Sequence, residues 1–310
     1  MTKVIFKVHF PPGDTITFTA ALRDLHNNYP GEFITDVNVY DDLKPIFEGN
    51  PYITKLNRDD PDVQVHDLHY DLINRSNQGS YHFIHAFRKT IEQKLGMKVK
   101  QGDCKGDIYI REEEKRWYSA VREVTGDDRD FWIVDAGHKS DVPLKAWPAE
   151  NFQKVIDHFK DKIQFVQIGH KDHHHPDLKG VINLVGKTDI RQLIRLVYHS
   201  VGVLTPVSLP MVMAAAVPVK WGNPRLRSCV VIAGGREPNH WHQYPGHQYL
   251  HTISALPCCE QGGCWIAKDC TSMKNGVPKC MRMITVNEVI SAIKRPYLGG
   301  ILKYKKGWKK

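Results

Sequence analysis

The chain of 310 residues lacks the marks of several protein classes. No stretch approaches the roughly 18 uninterrupted apolar residues of a membrane span. The nearest, residues 201–221, is broken by Pro206, Pro210 and Pro218. The opening MTKVIFKVHFPPGD is too short and too interrupted for a secretory signal, so a cytoplasmic, non-transmembrane protein is expected. There is no low-complexity tract and no short-period repeat, which excludes fibrous and solenoid architectures. No GxGxxG follows the first strand-like segment, and neither GxxxxGK[ST] nor GxSxG occurs. These absences disfavour a dinucleotide dehydrogenase, a P-loop NTPase and a serine hydrolase in turn.

What is present is an ordinary globular composition, 41% hydrophobic and 25% charged. The length is about twice that of a common domain, so two domains are expected. Net charge is +9, but five lysines fall in the final KYKKGWKK, leaving +4 on the rest. A basic tail interleaved with Tyr304 and Trp308 suits nucleic acid or an anionic membrane surface. A tail that only solubilises the terminus is the simpler reading.

Strand-like and helix-like segments alternate in two series. Residues 4–9 read as a buried strand, and 15–29 as a helix capped by Asp14 or Thr15. Residues 33–39 read as a strand and 80–95 as a helix that Gly96 stops. The second series has strands at 131–134, 164–168 and 201–204, with helices at 149–159, 189–199 and 208–216. Residues 112–124 are expected to be helical near a junction spanning 111–130. Repeated β-α units imply parallel sheets covered on both faces, here two Rossmann-like halves facing across a cleft. Ligands in such sheets sit beyond the carboxyl ends of the strands. That points to the loops at 10–14, 135–148, 169–178 and 205–210.

Those loops carry chemistry. Gly13-Asp14 lies between the first strand and helix, where glycine permits close approach and a carboxylate can serve as a general base. Capping the helix is the competing role for Asp14. His170, His173, His174 and His175 can bind metal but read better as a polar loop near a ligand. His82 and His85 read as structural or substrate-contacting. Asp60, Asp62, Asp128 and Asp130 read as solvated loops rather than a cation site.

Seven cysteines are present, and Cys258, Cys259, Cys264, Cys270 and Cys280 fall within 23 residues. Without a secretory signal a metal site is favoured over disulfides. Gly262, Gly263 and Gly276 supply turns that let thiolates converge on one ion. Five thiols compete for four positions, so Cys259 and Cys258 are alternatives beside Cys264, Cys270 and Cys280. Zinc is the default metal and iron its rival, in a structural staple rather than a catalytic centre.

The run GDTITFTAALRDLHNNYPG resembles the first β-α unit of family 9 glycosyltransferases, the heptosyltransferase family. VDAGHKSDVPLKAWPAENFQKVIDHF resembles the start of that family's donor half, and NLVGKTDIRQLIRLVYHSVGVLTPVSLPMVMAAAVPV its later donor signature. The rest is similar to a cysteine-containing branch, with a more distant resemblance to autotransporter heptosyltransferases that carry a four-cysteine iron site. The resemblance implies a GT-B fold: an acceptor-binding domain at 1–125, a nucleotide-sugar domain at 126–285 holding the metal segment 258–280, and a C-terminal helix and tail at 286–310. It implies an inverting transferase that needs no divalent cation for catalysis. Asp14 matches the family's base and Lys145 its diphosphate-contacting lysine. Gly13, Thr15, Gly169, His170, Thr205, Ser208, Leu209 and Met211 fall at the donor-binding loops. The chain departs from the family's Asp-Ser/Thr-Gly-x-x-His, reading Val207-Ser208-Leu209-Pro210-Met211-Val212.

The leading expectation is sugar transfer from an ADP- or UDP-sugar to a surface glycan or lipopolysaccharide-type acceptor, in a bacterial cell. The alternative is a phage-type DNA glycosyltransferase that uses a UDP-sugar on a hydroxylated base in an infected host. A third reading is a non-catalytic, metal-stapled nucleic-acid-binding protein.

Overall fold

A computed structural model describes residues 1–74, 79, 81–127, 129–139, 143–220, 227–260, 263–264, 270 and 272–297. The first series forms β1 (Thr2–Val8), α1 (Pro12–Asn28), β2 (Phe33–Asn38), β3 (Val63–Leu68) and α2 (Phe83–Leu95). Its strands make a three-stranded parallel sheet in the order β2-β1-β3. After α3 (Ala120–Thr125) come β4 (Phe131–Val134), α4 (Ala149–Phe159), β5 (Gln164–Gln167), β6 (Val181–Asn183), α5 (Ile190–His199), β7 (Gly202–Pro206), α6 (Leu209–Ala216), β8 (Ser228–Gly234), α7 (Asn239–His242) and β9 (His247–His251). Six of these strands form a second parallel sheet, β6-β5-β4-β7-β8-β9. A hairpin of β10 (Met273–Lys274) and β11 (Val277–Pro278), then α8 (Lys279–Met283) and α9 (Val286–Tyr297), ends the described chain.

Local chemistry accounts for most element ends. The runs FWIV and GVLTP of β4 and β7 are buried throughout, as strands covered on both faces must be. Asp189 and Gln192 form a capping box at the start of α5. Gly96 ends α2 at φ 67°, a left-handed conformation that glycine adopts without a Cβ penalty.

Two expectations are corrected. Helix α1 starts at Pro12, not near residue 15, and Pro11 precedes it without a side-chain cap. Proline suits this position because its missing N–H has no partner in a first turn. Asp14 therefore lies inside the helix and does not cap it. The single helix expected over 112–124 is broken. A short 3-10 turn at Glu114–Arg116 precedes α3, and Ser119 caps α3 by accepting from the Arg122 N–H at 3.1 Å. β3, β6 and β9 are too short or too polar to stand out in the sequence, and the apolar β8 also escapes that reading.

The two series are not separate bodies joined by a linker. One continuous apolar core runs from Val4, Phe6 and Phe18 through Met211 and Val212 to Trp241 and Tyr244. A second core on the other face of the large sheet takes in Trp147, Phe152, Phe159, Met281 and Ile293, so α9 belongs with that sheet. Arg191 of α5 ties the halves together. It is ion-paired with buried Glu114 and donates to the carbonyls of Pro45 (3.2 Å) and Tyr109 (2.9 Å). Arg227 is fully buried and donates to carbonyls at the C-terminal ends of α5 and α6, among them Ser200 at 3.1 Å and Val217 at 3.1 Å. Those ends leave carbonyls unpaired within the helix, and a guanidinium satisfies several at once.

Candidate active site

The strand orders locate the site. In the large sheet the direction of winding reverses between β4 and β7, and in the small sheet around β1. Loops at such reversals splay apart and leave a crevice beyond the carboxyl ends of the strands. The first turns of α1 and α6 meet there. A methyl group on Gly13 would rest 3.6 Å from Val212 Cγ2 and 3.8 Å from the Leu209 Cα.

Asp14 enters this crevice from the small sheet. The Tyr70 hydroxyl, from the loop after β3, donates to Asp14 Oδ2 at 2.5 Å. Burial pushes the Asp14 carboxyl up from its ordinary 3.8 to about 6, against the opposing pull of Tyr70 and Lys145, while Glu237 adds to the rise. Burial and Asp14 together push the Tyr70 hydroxyl well above its ordinary value, so Tyr70 stays a proton donor. A carboxylate poised near 6 can accept a proton from a hydroxyl close to neutral pH.

Lys145 faces Asp14 from the large sheet, at the end of a short turn after β4. Its Nζ donates to the Val207 carbonyl at 2.9 Å and pairs with Glu237 Oε1 at 2.8 Å. Glu237 follows β8 and is only 3% exposed. Burial works against its charge, but Lys145, His242 and Arg236 hold it below the usual glutamate range. Arg236 reaches Glu237 Oε1 at 3.0 Å.

A second carboxylate closes the floor on the side of the large sheet. Asp135, directly after β4, accepts from Ser208 Oγ at 2.9 Å and from the Gly137 N–H at 3.2 Å. Ser208 Oγ lies 2.7 Å from Thr205 Oγ1. Burial raises the Asp135 carboxyl, and Ser208, Gly137, His175 and Thr205 oppose the rise. His175 packs so tightly on two strand-end glycines that a Cβ at Gly137 or Gly169 would lie within 2.2 Å of its ring. Its Nε2 lies 2.8 Å from the His170 carbonyl. The histidine loop is thus drawn over the ends of β4 and β5, and His138 and His174 exchange backbone hydrogen bonds there at 3.1 and 3.0 Å.

Of the sequence-selected residues, Gly13, Asp14, Lys145, Ser208 and Leu209 come together. Gly169 and His170 lie at the end of β5, with His170 exposed. Thr15 is buried and its hydroxyl donates to the Phe10 carbonyl at 3.1 Å. Met211 is buried in the core. His82 caps α2, accepting from the Ile84 N–H at 3.2 Å, and burial lowers it to about 4. Its ring meets Tyr244 edge-on at 5.1 Å, and the Tyr244 hydroxyl lies 2.9 Å from Thr17 Oγ1. Sequence reasoning missed Tyr70, Asp135 and Glu237. Asp135 stands at a strand end, a place that signals function, whereas Tyr70 and Glu237 carry no local signal.

Of the cysteines, Cys259 and Cys280 are buried, Cys264 and Cys270 are half-buried, and Cys258 is exposed. A Cβ at Gly235 would lie 2.9 Å from Cys259 Sγ and 3.2 Å from Cys280 Cβ, so the two flank one backbone position. Burial lifts the Cys264 thiol to about 11, and Cys280, Cys258 and Cys270 each add to the rise. Among the described residues no three His, Cys, Asp or Glu side chains are grouped to hold a metal ion. No helix among them is long and apolar enough to cross a membrane. Asp128 and the lysine tail, with Tyr304 and Trp308, lie outside the described residues.

No curated protein matches the chain by sequence. Solved structures share its fold at low identity. A family 9 glycosyltransferase from Veillonella parvula is 18% identical with a TM-score of 0.69, covering 96% of this chain and 97% of that one. E. coli ADP-heptose LPS heptosyltransferase II is 14% identical with a TM-score of 0.62, covering 96% and 99%. The iron-containing dodecameric glycosyltransferase TibC of enterotoxigenic E. coli is 16% identical with a TM-score of 0.66, covering 96% and 76%. TibC has also been solved in complex with ADP-D-β-D-heptose. The sequence pattern of glycosyltransferase family 9 (heptosyltransferase) matches residues 64–221, just over half of the chain. With paired parallel sheets of the GT-B type meeting at a crevice, the chain belongs to glycosyltransferase family 9 and is a glycosyltransferase.

Proposed function

We propose that the protein is an inverting transferase that moves a sugar from a nucleoside diphosphate sugar to a hydroxyl of a surface glycan or lipopolysaccharide-type acceptor. The observation that carries this reading is Asp14, held near 6 by burial and facing Lys145 across the crevice. Asp14 takes the acceptor hydroxyl's proton as that oxygen attacks the anomeric carbon from the face opposite the diphosphate. The bond from the anomeric carbon to the diphosphate oxygen breaks, and negative charge collects on the leaving group. Lys145, the Leu209 N–H that opens α6 and the positive end of that helix would stabilise that charge, whereas Pro210 has no N–H and the Met211 N–H is taken by the Ser208 carbonyl at 3.1 Å. ADP is the first nucleotide to try, because TibC was solved with ADP-D-β-D-heptose. A UDP-sugar is the alternative donor.

The cysteine segment is proposed to hold one structural metal, zinc or iron. The donor set supports this: soft thiols, with Cys259 and Cys280 flanking Gly235 and Cys264 close enough to feel Cys258, Cys270 and Cys280. Cys259 or Cys258, with Cys264, Cys270 and Cys280, would supply the ligands. A bound metal would keep those thiols ionised and staple the segment to the end of β8. Metal analysis of purified protein tests this, and one equivalent lost on Cys280→Ser is expected.

The functional test is a thermal-shift and isothermal binding panel of ADP, UDP, GDP, CDP and CMP and their sugar conjugates. Selective stabilisation by one nucleotide and its sugar is expected, followed by transfer that Asp14→Asn abolishes. Binding of none of them would overturn the reading.

A further inference from the structure

Among the described residues, the Glu237 carboxylate is incompletely satisfied. One oxygen, Oε1, takes Lys145 at 2.8 Å and Arg236 at 3.0 Å. The other, Oε2, is buried and has no hydrogen-bond partner among the described residues. A desolvated carboxylate oxygen without a donor is costly, and natural sites keep such an atom where something else supplies the donor. The group sits among the machinery of the site: it holds Lys145, and it lies close enough to Asp14 to act on that carboxyl's charge. Nearby His242 is also buried, with Nδ1 unpartnered among the described residues.

The chemistry of the missing partner is narrow. A carboxylate oxygen repels phosphate and accepts from O–H or N–H, so the diphosphate itself is excluded. In a nucleotide sugar, two phosphates separate the ribose and base from the anomeric carbon. The anomeric carbon must face Asp14, because the attacking hydroxyl gives its proton there. A carboxylate that senses Asp14 and holds the lysine of the leaving group is therefore beside the transferred sugar, not the ribose. Resting on the glycosyl-transfer reading above, we propose that Glu237 determines donor-sugar specificity, its Oε2 accepting a hydrogen bond from a hydroxyl of the transferred sugar while its Oε1 holds Lys145 in place.

The test compares wild type with Glu237→Gln, using ADP-heptose, ADP alone and a series of mono-deoxy forms of ADP-heptose; if the panel above selects another nucleotide sugar, that donor replaces them. The variant is expected to bind the nucleotide sugar about tenfold more weakly, as loss of a hydrogen bond to a charged group predicts. Binding of the sugar-free nucleotide is expected to change less than about threefold, because the amide oxygen still accepts from Lys145. One mono-deoxy donor is expected to bind wild type about tenfold more weakly than its parent, and this penalty vanishes in Glu237→Gln. Equal losses for ADP and ADP-sugar, or deoxy penalties unchanged in the variant, would overturn the proposal. If Glu237→Gln does not fold, Glu237→Asp keeps the charge but withdraws the oxygens, and the same split between sugar-bearing and sugar-free ligand decides. A wild type that binds no nucleotide sugar would overturn the glycosyl-transfer reading and this proposal with it. A wild type that binds one while Glu237 variants discriminate as it does would overturn only the proposal.

Discussion

Two carboxylates hold corresponding places in the two halves, and their surroundings set them apart. Asp14 follows β1 and Asp135 follows β4, each beyond the carboxyl end of a central strand and each bonded by a hydroxyl, Asp14 half-buried and Asp135 buried. Among the described residues Asp14 has one donor, Tyr70, and it feels charged Lys145 and Glu237 across the crevice. Asp135 is bound on both oxygens, by Ser208 and by the Gly137 N–H, and belongs to a network with Thr205. In the proposed reaction the first carboxyl moves a proton, while the second is held by the loop before α6. Residue type and strand position are shared, so the difference lies in how many donors each oxygen has.

The largest expected effect breaks the comparison directly. Asp14→Asn is expected to lower transfer by about 10²–10⁴-fold, the usual worth of a general base, with donor affinity within severalfold. Asp135→Asn is expected to cost less than about tenfold in the same assay. A reversed order would exchange their roles. Asp14→Asn also carries a stability signature. A carboxyl whose folded value of about 6 exceeds its unfolded 3.8 binds its proton more tightly when folded, so it weakens the fold as pH rises across that window. Removing the charge should stabilise the protein at pH 7 by on the order of 2 kcal/mol, read by denaturant unfolding, and leave stability near pH 3 unchanged.

Next in size is Lys145→Ala, for which diphosphate affinity is expected to fall about tenfold or more while nucleoside affinity barely moves. Titration calorimetry with ADP and adenosine, or the nucleotide that binds, separates the two. Equal losses would remove Lys145 from the phosphate site.

A smaller effect belongs to Tyr70. Wild-type kcat/KM is expected to fall as pH drops through about 6, because Asp14 must be ionised to accept a proton. Tyr70→Phe removes a hydrogen bond that favours the carboxylate, so the acid limb should move to higher pH. That means a severalfold loss near pH 6 and little change at pH 8. A profile that kept its limb in place would mean that Tyr70 does not tune Asp14. Ser208→Ala is expected to be mildest, costing about 1 kcal/mol of stability by taking one donor from Asp135. Chemical denaturation measures it, and no change would mean that the Asp135 network is not needed to hold the loop.

Much of the alternation was legible because buried parallel strands and amphipathic helices write their period into the chain. The stretches FWIV and AENFQKVIDHF became β4 and α4 with the expected bounds. Asp14 was legible as a candidate base, with helix capping as the competing role. The start of α1 at Pro12 removed the capping role, and only the fold brought the Tyr70 hydroxyl to its Oδ2. The cysteines stood out because all five lie close together in the chain. Their burial and the approach of Cys259 and Cys280 to Gly235 came from the fold.

The sequence by itself determined the repeated β-α units, the loops beyond the strand ends where ligands are expected, and the residues that resemble a transferase family. These are encoded in spacing between neighbours, and spacing survives without knowledge of the fold. Only the tertiary structure brought Tyr70 to Asp14 and Glu237 to Lys145, partners 56 and 92 residues apart. Strand order decides which loops meet, and burial decides which charges are felt. Neither is written in any short stretch of the chain.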